Sequence, residues 1–158
     1  MDFRSQFIND SQNGLLPLFE EHKISQSTDP IDIKTIGVGL RDPANIPVTQ
    51  QPAVFFDYGD TRRLEGERYA GYEIEAFTVD ILAVINATNP PDRRSNLIER
   101  TGAMRLLIDQ IREEVRSLSV SDEINIQNVV VSHATKDRRA LSEYAAMHYG
   151  LTYIYEYQ

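Results

Sequence analysis

The segment Tyr72 to Ile85 constrains the fold more than any other part of the chain. Phe77, Val79, Ile81, Ala83 and Ile85 alternate with Ile74, Ala76, Thr78, Leu82 and Val84. A period of two predicts a strand. A strand apolar on both faces has to be covered on both, by helices of its own chain or by a neighbouring subunit. One charge interrupts it. A carboxylate at Asp80 must be paired, hydrogen-bonded or exposed, and an arginine partner, in this chain or a neighbour, is the expected solution.

The surrounding elements follow from the same kind of pattern. Pro52 to Tyr58 reads as a second strand, and Gly59 to Gly71 as a charged connector carrying Asp60, Arg62, Arg63, Glu65, Glu67 and Arg68. Together they predict an antiparallel hairpin with an extended tip. After the Asn89-Pro-Pro-Asp92 loop, Leu97, Thr101, Met104, Ile108, Ile111, Val115 and Leu118 step by three and four, a helical stripe of about six turns. Ser95 is its expected N-cap. Asn125 to Ser132 reads as a strand, and Lys136 to Arg139 as a basic turn. The closing strand runs from Ala145, with Met147, Tyr149, Leu151, Tyr153, Tyr155 and Tyr157 on one face. Such an aromatic face is core in most proteins, or in part an oligomer surface.

The beginning of the chain is less regular. Phe3 to Asp10 and Leu15 to Lys23 are expected to be short helices, the second with Pro17 at its first helical position. Ile31, Ile33 and Thr35 alternate as in a strand. Residues 37–51 show no period, and a loop of that length is a candidate partner-binding arm. The fold class expected is α+β: a mainly antiparallel sheet with a long hairpin, packed against one long amphipathic helix and short N-terminal helices. The whole, 1–158, reads as one domain, with a loosely attached helical segment at 1–24 and the sheet-and-helix core at 31–158.

Composition excludes several kinds of function. The absence of cysteine removes disulfides, thiolate zinc sites and a cysteine nucleophile. The formal charge of −8 argues against a broad phosphate-neutralising surface for nucleic acid. It suits a passage through which nucleic acid slides without sticking. No stretch approaches the roughly 20 apolar residues of a membrane span, and the N-terminus lacks a secretory pattern.

No catalytic constellation stands out. His22, His133 and His148 lie in three different predicted elements without metal-ligand spacing, and each reads as a surface or half-buried histidine. Gly37-Val-Gly39 lacks the rest of a dinucleotide fingerprint and reads as a turn. Asp57-Tyr-Gly-Asp60 reads as a turn closing a strand. Catalytic, cofactor and metal residues are therefore all expected to be none. The mixed charges of Asp60, Arg62, Arg63, Glu65, Glu67 and Arg68 suit a subunit contact as well as a solvated loop.

The hairpin from Pro52-Ala-Val-Phe-Phe-Asp-Tyr58 through Phe77, Asp80 and Val84, the Leu97–Leu118 helix and the terminal Tyr153-Ile-Tyr-Glu-Tyr157 together resemble the tail terminator and tail-completion (neck) proteins of tailed bacteriophages. The likeness covers about two-thirds of the chain, from Pro52 onward, and is architectural, with no invariant motif. It leaves residues 37–51 and 136–139 without an account. It implies a virion structural protein with no enzymatic activity and no cofactor, made in the host cytoplasm. Its partners would be itself, as a hexameric ring, the tail tube protein and the head–tail connector or neck proteins, with DNA only in transit and no membrane. Other expectations are a different neck, head-completion, sheath-associated or baseplate role, a small hydrolase or nucleotide-binding enzyme using Asp80 or a histidine, and an adaptor that binds a peptide along a sheet edge.

Overall fold

The two-faced strand is the centre of a five-stranded sheet. The computed structural model describes residues 3–23, 31–64, 73–86, 93–116, 123–136 and 144–157. Its strands are β1 (Thr35–Val38), β2 (Ala53–Arg63), β3 (Glu73–Asn86), β4 (Ile124–Lys136) and β5 (Tyr144–Tyr157), and its helices α1 (Ser5–Asn9), α2 (Leu15–Lys23) and α3 (Arg93–Arg116). The strand order is β1-β2-β3-β5-β4. Only the β1–β2 pair is parallel; the other three pairs are antiparallel. The class is α+β, as expected.

All three helices cover one face. Val54 and Phe56 of β2, Phe77 to Ile85 of β3 at alternate positions, and Tyr149, Leu151, Tyr153 and Tyr155 of β5 form one apolar cluster with them. From α3 this cluster takes Leu97, Met104, Leu107, Ile108, Ile111 and Val115, so the stripe is the expected one with Leu107 added. Thr101 is half-buried and turns its hydroxyl to the Leu97 carbonyl at 2.7 Å. The helix starts by Arg93, which puts Ser95 inside it and not at its cap. Leu118 lies outside the described residues.

The N-terminal helices are part of the core and are not loosely attached. Phe7, Ile8, Leu15 and Phe19 are at most 1% exposed. Helix α2 occupies the expected residues, and Pro17 is its third residue, where its missing N–H has no intrahelical acceptor to lose. His22 is buried and bonds Glu114 of α3 at 3.1 Å, contrary to the surface or half-buried position expected for it.

The second face is covered at one end by residues 39–52. Ile46 packs on Ala53, Phe55, Leu82, Val84 and Ala146, Arg41 lies over the Phe55 ring at 4.9 Å, and the Gln51 amide donates to the Ile46 carbonyl at 3.0 Å. Two short 3-10 turns, Pro43–Asn45 and Val48–Gln50, shape this segment. It is a cover over the sheet, not a free arm. The strand expected at 31–35 is displaced. Ile31 and Ile33 are buried in extended chain, and ladder pairing begins at Thr35 and takes in Gly37 and Val38.

Candidate functional site

Two features of the sheet carry chemistry or contact potential. The first lies beyond the reach of the 39–52 cover. Registered pairing places Asp57 of β2, Asp80 of β3, Gly150 of β5 and His133 of β4 in one row across four strands. The row is sequence-local on none of them. Its last step, His133 opposite Gly150, depends on register shifts in β4 between Ile126 and Asn128 and between Val131 and His133, which a single sequence does not announce.

Gly150 makes the row possible. A Cβ there would fall into the His133 ring and 2.5 Å from the Ser132 hydroxyl, so the imidazole rests over bare backbone on the way to Asp80. Next to the row, Thr78 and Thr152 join hydroxyls at 2.7 Å. Asp60 and His148 complete the charged surroundings of Asp80.

Among the described residues no arginine of the same chain pairs with Asp80, which leaves a neighbouring subunit as the expected source of one. Burial raises its carboxyl above the usual range; Asp60 and Asp57 add to this, and His133 and His148 oppose it. A folded-state pKa above the unfolded 3.8 means that the ionised group costs stability at neutral pH. The cost fades as the pH falls through the folded pKa toward the unfolded one. Asp80→Asn is therefore expected to raise Tm at pH 7 and to lose that advantage at acid pH. Equal melting of the two proteins at pH 7 would contradict this.

The second feature is the outer edge of β2. Asp57-Tyr-Gly-Asp60 does not close the strand. It continues to Arg63, paired with β3 up to Arg63–Glu75. Strand β1 pairs with Ala53 to Phe56, so among the described residues β2 has no outer neighbour from Asp57 on. Asp60, Arg62 and Arg63 are exposed on it, as is Tyr58 at 47%. Arg63 reaches Glu73 at 3.0 Å, an ion pair worth at most about 1 kcal/mol at this exposure. The other expected contact residues, Glu65, Glu67 and Arg68, lie outside the described residues.

A third group, missed in the sequence, is structural. Glu75 is 6% exposed. Its carboxylate accepts from the Tyr155 hydroxyl at 2.8 Å, lies 2.7 Å from the Tyr157 hydroxyl and is paired with Arg4. Burial pushes its pKa up, but the bonds from Tyr157, Tyr155 and Arg4 outweigh that and hold it below the usual value of 4.5. Burial and the bonds to Glu75 and Glu73 push the Tyr157 hydroxyl up to about 12. The available signal was a pair of glutamates, Glu73 and Glu75, continuing the apolar face of β3 toward a tyrosine-rich strand.

Among the described residues, no three histidine, aspartate or glutamate side chains are disposed to hold a metal ion, and no helix is long and apolar enough to cross a membrane. Neither a protein-family model nor a characterised protein matches the sequence.

Proposed function

We propose that the protein is a ring-forming structural protein of a tailed bacteriophage. It sits at the head-proximal end of the tail, terminates the tail tube and joins it to the head, with DNA passing through the ring. The observation that carries this reading is the open edge of β2 from Asp57 to Arg63. Long open edges are usually blunted or covered in native proteins. This one presents the exposed Tyr58 together with the exposed Arg62 and Arg63, and tyrosine and arginine are the residue types enriched in contacts between protomers. Strand β4 exposes Ser132 to Lys136 at the other end of the sheet. A head-to-tail repeat that meets one edge with the other covers both, and forms a ring when its rotation closes.

Charge supports the same reading. Each protomer contributes −8, and Asp57, Asp60 and Asp80 lie on or beside the open part of the sheet face. A ring with that face toward its channel repels the DNA backbone and lets it slide. The expected neighbours are a tail tube protein on one side and a connector or neck protein on the other.

Replacing Arg62 and Arg63 together by glutamate tests the placement of the contact. The double variant is expected to keep its circular dichroism spectrum and thermal midpoint to within a few degrees, since both residues are exposed. Its assembly into large species, read by light scattering, is expected to disappear. Assembly equal to that of the unaltered protein would remove the β2 edge from the interface.

A second reading, a small hydrolase, is favoured by the Asp80–Gly150–His133 row alone. A carboxylate with a raised pKa in the same row as an imidazole that lies over Gly150 offers the residue types used in general acid–base chemistry. Turnover that Asp80→Asn and His133→Ala both abolish would favour it over the ring.

A further inference from the structure

Helix α3 buries one side and leaves the opposite side bare. On the bare side Ile98 is 70% and Leu106 60% exposed, and Ile98 is the most exposed large hydrophobic residue among those described. Scattered exposed aliphatics are ordinary, but these two are arranged. They stand four residues before and four after Gly102, on one stripe of the helix. Gly102 is itself exposed, and a Cβ added to it would meet nothing within 4 Å. Glycine in mid-helix costs stability relative to alanine, and nothing among the described residues requires it here.

Charge follows the same centre. Glu99 lies three residues before Gly102 and Arg105 three after. Read outward from Gly102, the face is symmetric in apolar character and opposite in charge. A surface of that kind is complementary to itself when turned end for end. In an antiparallel two-fold packing across Gly102, each Ile98 meets Leu106 of the other copy, and each Glu99 comes level with Arg105. A parallel packing would bring Glu99 level with Glu99 and Arg105 with Arg105. The missing Cβ at the crossing lets the helix axes approach closely, since interaxial distance is set by the side chains at the contact. Arg105 also reaches Asp109 at 3.4 Å, but both side chains are about 40% exposed, and so weak a pair leaves the guanidinium available.

We infer that the outer face of α3 is a two-fold self-association surface, occupied by α3 of a second copy of this chain packed antiparallel across Gly102. This contact is isologous, whereas a ring needs a head-to-tail one. The two use different parts of the molecule, and the inference stands or falls apart from the ring. Combined, they would join two rings back to back through their helices.

The chain has no cysteine, so an introduced one is the only thiol. In the full-length protein Gly102→Cys should form a disulfide-linked dimer in a glutathione redox buffer, about tenfold more than Glu113→Cys. The latter places its thiol on the same helix face but roughly 30 Å from its two-fold mate. Register is tested by mixing two single variants. Ile98→Cys with Leu106→Cys should give the mixed dimer in preference to either self-dimer. Circular dichroism of each variant verifies the fold, and Leu106→Glu, at an exposed site, should abolish the dimer in sedimentation without disturbing it. Cross-linking of Gly102→Cys no greater than that of Glu113→Cys, or a mixture favouring self-dimers, would overturn the inference. Rings seen or not seen by microscopy bear on neither outcome.

Discussion

Phe7→Ala is expected to cost about 3–5 kcal/mol and to lower Tm by roughly 10 °C. Phe7 sits in a helix only five residues long, far too short to be stable alone. What holds it is its ring. It stacks on Tyr153 with centroids 4.4 Å apart and lies 5.9 Å from Phe77 and 5.2 Å from Tyr155, at 1% exposure. Truncation removes that burial and leaves a hole against the rigid sheet, where the strands cannot close in. Denaturant titration measures the effect directly. A loss below about 1 kcal/mol would mean that the first helices are an appendage after all.

Glu75→Gln is expected to cost about 2–3 kcal/mol by leaving Arg4 without its carboxylate and two tyrosine hydroxyls imperfectly matched. The effect has a pH signature. Because the folded-state pKa of Glu75 is held below 4.5, its contribution is present above that value and is lost as the pH falls through the folded pKa. The cost of the substitution should therefore be full at pH 7 and shrink in acid. The sign is opposite to that of Asp80→Asn, since one carboxylate is held below its usual value and the other above it. Urea unfolding of both variants at pH 7 and in acid separates the two. A Glu75→Gln penalty independent of pH would show that shape, not charge, is what the site needs.

The long periodic elements were legible because a single face dictates each of them. The apolar residues of β3, the stripe of α3 and the tyrosines of β5 repeat at the right interval whatever the rest of the chain does. Features that depend on two distant segments meeting were not legible. Asp57-Tyr-Gly-Asp-Thr-Arg-Arg63 has no alternation, and only its ladder with β3 makes it a strand. Ile31 and Ile33 alternate well, yet the parallel register with β2 starts at Thr35. Residues 39–51 lack a period because they cover a surface, bent by two short 3-10 turns, and form no strand or α-helix. Glu75 and Tyr155, which share a hydrogen bond, are eighty positions apart, and Asp80 and His133, placed in one row on either side of Gly150, fifty-three; both arrangements are a matter of register. On α3 the buried stripe was visible at once, while Ile98 and Leu106 acquire meaning only when the helix is seen to have a bare side.

The proposed ring requires protomers to close head to tail through the edge of β2. Light scattering of the purified protein across a concentration range, with negative-stain electron microscopy of the largest species, tests it most directly. The expected result is closed rings of one size, seen end-on, whose mass is a fixed multiple of 18.0 kDa and which Arg62→Glu with Arg63→Glu abolishes. A protein that forms no ring at any concentration, alone or on tail tubes, would contradict it.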